Sequence, residues 1–185
     1  MATAKKLLNV GGGSKSIPLP EQLQSFEHVL LDVDPSGNPD IILDARELDT
    51  LEPNQFDAIY CSHNLEHFHF HEVPIVLRGM LHVLKPGGFT FIRVPDILAA
   101  IDRMRAGHLD FEEGLYEASG TPIMTLDVIY GWSVMIQRGH PHYAHKTAFT
   151  ESMLRRRLTE AGFEVGDFQA SDLEFRIVGY KPKGV

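Results

Sequence analysis

The sequence predicts an α/β domain built on a mostly parallel sheet, and three observations carry that prediction. Its apolar runs are short and apolar on both faces, as strands of a sheet covered on both sides must be. A well-bounded helical segment separates two of these runs. The last two runs are joined by a tight polar turn, which makes them an antiparallel hairpin at a sheet edge.

The elements follow in order. KKLLNV (5–10) is a first strand, stopped by Gly11, Gly12 and Gly13. HVLLDVD (28–34), PDIILDA (39–45), FDAIYCS (56–62) and GFTFIRVP (88–95) are the next four. Between the fourth and fifth, Val73, Val76, Leu77, Met80, Leu81 and Leu84 recur at helical spacing, and Lys85-Pro86-Gly87-Gly88 stops the helix. Thr150 caps a later helix that carries Leu154, Leu158 and Ala161 on one face and ends at Gly162. FEVGDFQA (163–170) and LEFRIVGY (173–180) form the hairpin, turning at Ser171-Asp172. Residues 96–147 break the rhythm. ILAAIDRMRAG reads as a helix, and the rest, with Trp132, three tyrosines, His140, His142 and His145, reads as a lid lobe inserted within one domain spanning 1–185. The lobe follows the fifth strand, and ligands of open α/β sheets bind beyond the carboxyl ends of strands.

Composition narrows the classes. A chain of 185 residues fits one domain with a sizeable core. A net charge of −8 leaves no long basic stripe, so no nucleic-acid partner is expected. Arg155-Arg156-Arg157 falls in the later helix and reads as a solvated face. The single cysteine, Cys61, excludes an internal disulfide and a cysteine-rich zinc module. No apolar run approaches about 18 residues, and MATAKKLLNVGGG lacks a signal-peptide core. The expectation is a cytoplasmic monomer or homodimer with no membrane partner.

The three glycines allow a tight turn and close approach of a ligand to the backbone. The dinucleotide fingerprint is absent, because Ser16 holds the third glycine position. Pro18 and Pro20 oppose a long helix at the loop, so a ligand without a pyrophosphate is favoured. Asp32 and Asp34 end the second strand about 20 residues further on, where a carboxylate can accept ribose hydroxyls. Asp32 is the better placed, since Asp34 introduces the turn Pro35-Ser36-Gly37-Asn38. Asp44 ends the third strand, where it can accept from an adenine amino group.

Gly11-Gly12-Gly13 after Leu7-Leu8-Asn9-Val10, Asp32, Asp44-Ala45, Phe56-Asp57-Ala58-Ile59-Tyr60, His63-Asn64-Leu65-Glu66-His67 and Leu84-Lys85-Pro86-Gly87-Gly88 resemble the ordered landmarks of one family. It is that of the Rossmann-like S-adenosylmethionine-dependent methyltransferases. His145–Thr150 and Glu160-Ala161-Gly162-Phe163 extend the resemblance over nearly the whole chain. It implies a seven-stranded, mostly parallel sheet with an antiparallel last strand, helices on both faces and a small lid lobe. It further implies S-adenosylmethionine as cofactor, with Gly11 and Gly13 around its methionine part, Asp32 on its ribose and Asp44 on its adenine edge. The Cys61–His63 segment would close one side of that pocket. Two features depart from the family pattern: Asn9 stands where an acid is frequent, and the first helix is cut short by Pro18-Leu19-Pro20. A protein that binds the cofactor without transferring its methyl group therefore stays open as an alternative.

HNLEHFHFHE (63–72) also matches, in its first five residues, the H-x-x-E-H signature of a class of zinc peptidase. That site needs both histidines on a helix, whereas His63 directly follows a strand. No resident metal is expected, and a zinc hydrolase is the lesser alternative. For methyl transfer, positioning supplies much of the effect, and a base is needed only if the acceptor must lose a proton. His63 at the pocket mouth and His145 from the lobe are the candidate bases, and Tyr130, Gly131 and Trp132 a candidate wall. The size of the lobe favours a small-molecule or saccharide acceptor.

Overall fold

The computed structural model describes residues 4–118 and 120–184, so Met1–Thr3 of the leader reading lie outside the described residues. In chain order its elements are β1 (Lys6–Val10), β2 (Glu27–Asp32), β3 (Ile41–Ile42), β4 (Phe56–Ser62), α1 (Val73–Val83) and β5 (Leu84–Pro95). There follow α2 (Ile97–Ala106), β6 (Gly114–Ala118), β7 (Thr121–Met124), α3 (Thr125–Tyr130), α4 (Ser133–Gln137), α5 (Glu151–Ala161), β8 (Glu164–Ala170) and β9 (Glu174–Tyr180). Seven strands form one sheet in the order β3-β2-β1-β4-β5-β9-β8. The first five are parallel, and β9 runs antiparallel to both β5 and β8. The predicted mostly parallel sheet and its C-terminal hairpin are thus present. Strand order reverses between β1 and β4, which opens a crevice at their carboxyl ends.

Local chemistry sets the boundaries. Thr150 Oγ1 accepts the Met153 N–H at 3.3 Å to start α5, and Gly162, at φ 104°, ends it. Asp96 caps α2 by accepting the Leu98 and Ala99 N–H groups, each at 3.1 Å. α1 stops one residue earlier than its periodicity predicts, because Leu84 already pairs with Phe56 as the start of β5. β3 is far shorter than the seven-residue run predicts. Asp44 leaves it to cap the 3-10 turn Ala45–Thr50, accepting the Arg46 N–H at 2.9 Å.

Helices flank both faces of the sheet, unequally. On one face α1, α5 and the Ala45–Thr50 turn bury Leu8, Val10, Ile59, Ile92 and Ile177 in the main core. On the other, Leu19, Leu23 and Phe26, around the 3-10 turn Glu21–Leu23, cover Leu7, Ala58, Tyr60 and Phe91. Pro18 and Pro20 account for that thin cover, since proline in a helix interior removes a hydrogen bond and clashes with the preceding turn. Residues 96–147 carry a separate β6–β7 hairpin and a small core of Ala100, Leu115, Ile123 and Val128. Among the described residues, no helix is long and apolar enough to cross a membrane.

Candidate functional site

A cavity of about 620 Å3 lies beyond the carboxyl ends of β1, β2 and β4, within the size range of small-molecule sites. Gly11, Gly13, Asp32, Asp44, His63 and His67 are among its lining residues. Both glycines have left-handed backbones, at φ 68° and 66°. They differ in what surrounds them. A Cβ on Gly11 would stand 1.9 Å from Asn64 Nδ2, whereas one on Gly13 would meet only Ile17 Cδ1 at 3.8 Å. Gly11 is therefore required by packing, while Gly13 leaves space on the ligand side.

Asp32 is buried, and the backbone fixes both its oxygens. Gly13 N–H donates to Oδ2 and Asp34 N–H to Oδ1, each at 2.9 Å. A carboxylate has about four acceptor positions, so each oxygen keeps one for a ligand hydroxyl. Asp34 itself caps the next turn through Ser36 N–H at 2.9 Å, as its place before Pro35 predicts. The guanidinium of Arg46 holds Asp44 in a fork (Nε to Oδ1 3.0 Å, Nη2 to Oδ2 2.6 Å) and reaches Glu72 at 2.5 Å. Those hydrogen bonds keep the Asp44 carboxyl below its ordinary pKa. A second cavity of about 290 Å3 adjoins the glycine loop and is lined by Asn9, Tyr60, Arg93 and Tyr143, among others. Asn9 Nδ2 stands 3.2 Å from His28 Nε2, while its buried Oδ1 has no partner among the described residues.

The opposite wall is made of histidines. His63 leaves β4 with φ 48°, and its Nε2 lies 2.8 Å from Glu174 Oε2 on β9. Arg93 on β5 anchors Glu174 through Nε at 3.1 Å and reaches Tyr60 Oη at 3.0 Å. Burial alone would lower the pKa of His63, but Glu174 and Glu66 override it and raise the value to about 9. The hydrogen bond from His63, and then Arg93, hold Glu174 down to about 2. His63 is thus an imidazolium at neutral pH. In that form both ring N–H groups face carboxylates, Nε2 on Glu174 and Nδ1 toward Glu66, and the ring does not take a proton from a ligand.

Burial lowers the pKa of His145, which favours its neutral form. Its Nδ1 stands 3.0 Å from Val128 O, and it is not among the residues lining the cavity. It meets the site through His67, which does line the cavity and whose ring lies edge-on to it with centroids 5.0 Å apart. Cys61 is fully buried behind Asn64, with Sγ 3.9 Å from Asn64 Oδ1, and burial pushes its thiol pKa far up. Tyr130 points to solvent and Trp132 packs on the small core of the lobe, so the lobe presents Tyr143, His142 and Lys146 to the cavity instead. His63 lies outside the 3-10 turn Leu65–His67, so HNLEH does not form the helical histidine pair of a zinc peptidase.

A seven-stranded sheet of this order, with its last strand antiparallel and a cavity at the reversal point, defines the Rossmann-like class of S-adenosylmethionine-dependent methyltransferases. A family model described as a methyltransferase domain matches residues 2–166, and the chain belongs to that family. Solved structures share the fold at low identity. A protein from Pyrococcus horikoshii aligns with TM-score 0.63 at 15% identity, over 98% of this chain and 83% of its own. A Methanosarcina mazei protein described as a SAM-dependent methyltransferase aligns with TM-score 0.63 at 15% identity, over 98% and 94%. The [4+2]-cyclase SpnF aligns with TM-score 0.60 at 16% identity, over 97% and 75%. No curated protein matches the sequence.

Proposed function

We propose that the chain binds S-adenosylmethionine in the larger cavity and methylates a small-molecule or saccharide acceptor. The observation that carries this reading is Asp32, whose two oxygens are fixed by Gly13 and Asp34 N–H groups and keep acceptor capacity for paired hydroxyls. The open side of Gly13, the unpartnered Oδ1 of Asn9 and the anchored Asp44 fit the rest of the cofactor. Asn9 would accept from its ammonium group, Asp32 would hold its ribose, and Asp44 would hold its adenine amine. S-adenosylmethionine supplies a methyl group on a sulfonium, which an acceptor nucleophile takes with loss of the neutral thioether.

The chain's own residues act by positioning. His63, as a cation held between Glu174 and Glu66, places a fixed positive charge at the mouth, and the base role expected for it does not suit an imidazolium. His145 serves transfer from the acceptor side through His67. The polar lining by Tyr143, His142 and Lys146 supports a small polar acceptor. Calorimetry with S-adenosylmethionine and its demethylated product tests the reading. One-site binding, lost in Asp32→Ala, is expected, and a folded protein that binds neither ligand refutes it. A screen of metabolites and saccharides with labelled cofactor then seeks the acceptor. A second reading, a cofactor-binding protein with another activity, draws on Asn9 in place of the frequent acid and on the cyclase that shares the fold. Tight binding without methylated product across that screen would favour it.

A further inference from the structure

We propose that Glu66, His67 and His145 form a binding site for a first-row divalent transition-metal ion. The three offer a carboxylate oxygen and two imidazole nitrogens, all within 4.8 Å of one another. Glu66 is 1% exposed, and neither of its oxygens has a hydrogen-bond partner among the described residues. The closest cation, His63 Nδ1, is 3.5 Å from Oε1, within ion-pair reach but too long for a good hydrogen bond. Carboxylates withdrawn from water in proteins are paired, hydrogen-bonded or bound to a metal. Glu66 lacks the second and has only a loose form of the first.

The histidines point the same way. His67 Nδ1 lies 3.1 Å from Ala144 O, and His145 Nδ1 lies 3.0 Å from Val128 O. A carbonyl only accepts, so Nδ1 of each ring carries the proton it donates, which leaves Nε2 as the nitrogen that can offer a lone pair to a metal. Such a bond to the far nitrogen is how proteins orient imidazoles that bind metals. The backbone holds the pieces together, because the Lys146 and Thr147 N–H groups donate to Glu66 O at 2.7 and 3.2 Å. The turn bearing Glu66 and His67 is thereby tied to the segment that bears His145.

Two imidazoles and one carboxylate suit zinc, cobalt or ferrous iron and leave a coordination position open. This departs from the sequence expectation, which found no helix to carry the histidine pair of HNLEH and expected no resident metal. The partner is instead His145, far along the chain. Since His67 lines the cavity, the ion would polarise an acceptor oxygen there; that last step alone rests on the methyl-transfer reading.

The test uses the full chain stripped with a chelator, Co2+ as the spectroscopic probe and Zn2+ as competitor. One Co2+ per chain is expected, with visible ligand-field bands lost on adding Zn2+. Affinity should fall by at least ~10²-fold in Glu66→Gln and in His145→Gln, the upper range for losing even a supporting partner. The double variants His69→Ala/His71→Ala and His140→Ala/His142→Ala remove the other neighbouring histidine pairs and should bind Co2+ as the wild type does. Uptake that survives both single variants and disappears in a double variant overturns the proposal as adventitious surface binding. A stripped wild type that takes up no stoichiometric Co2+ overturns it without any variant, even if Glu66→Gln fails to fold. Neither cofactor nor acceptor enters these readouts, so failure here leaves the methyl-transfer reading untouched.

Discussion

The two walls of the cavity are held by different physics. The wall at the ends of β1, β2 and β3 is built from backbone N–H groups and neighbours close in sequence: Asp34 on Asp32, Ser36 on Asp34, Arg46 on Asp44. The wall at the end of β4 is built from side chains that meet across the chain. His63 and Glu174 are 111 residues apart, and His67 and Ala144 are 77 apart. A wall of the first kind is preset as soon as its loops form. One of the second kind exists only once β9 and the lobe have docked. Under the proposed function the local wall would hold the cofactor and the assembled one would serve the acceptor.

Substitutions can break or sharpen that division. The largest effect is expected for Asp32→Ala, which removes two charge-assisted hydrogen bonds and should weaken cofactor binding by ~10²-fold or more in calorimetry. Next comes His145→Ala. Transfer should fall by about 10²-fold if the group assists proton removal or an equivalent electrophilic step, while cofactor affinity stays within a few-fold. If His145→Ala instead damages binding as much as Asp32→Ala does, the two walls are not separable. The glycines give a finer contrast. Gly13→Ala forces a side chain into a left-handed backbone at a cost of ~1–2 kcal/mol, and the folded protein should bind cofactor about tenfold more weakly. Gly11→Ala collides with Asn64 and should lower the melting temperature first.

The smallest effect concerns Glu174→Gln. In chelator-treated protein His63 should titrate near 9 by NMR, and the variant should bring it down toward its ordinary 6.5. Because His63 has the higher pKa when folded and Glu174 the lower, the pair's contribution is full between about 4.5 and 6.5; it is lost as pH rises through 9 and as pH falls toward 2. The stability gap between wild type and variant should therefore narrow as pH rises from 6.5 through 9. An unchanged His63 titration would show that the long-range wall does not set its charge.

The local wall was also the legible one. Glycines after a strand and aspartates at strand ends announce themselves because their chemistry is local, and Thr150 and Gly162 bounded α5 for the same reason. β3 was overestimated because its apolar run reaches Leu43, just before Asp44, whose capping bond outweighs the strand pattern. Cys61 illustrates a different limit. In a strand buried on both faces, alternation cannot say which side meets a ligand, and Cys61 sits with Ile59 on the main-core side. Glu174 and Arg93 carried no signal at all, being ordinary charges on strands until the β5–β9 register sets them beside His63. Tyr130 and Trp132 misled, because the aromatic character of the lobe serves its own core.

The brevity of β3 has a consequence for motion. Asp32 belongs to a strand bonded on both sides, whereas the chain leading to Asp44 is attached through only two register pairs, Leu31 with Ile41 and Asp32 with Ile42. Local opening should therefore be easiest at this edge, and the amides of 41–46 should exchange with deuterium well before those of 58–62. A ligand that bridges Asp32 and Asp44 would act as the missing length of strand. Its arrival would be visible as a slowing of exchange confined to that edge, with the centre of the sheet unchanged.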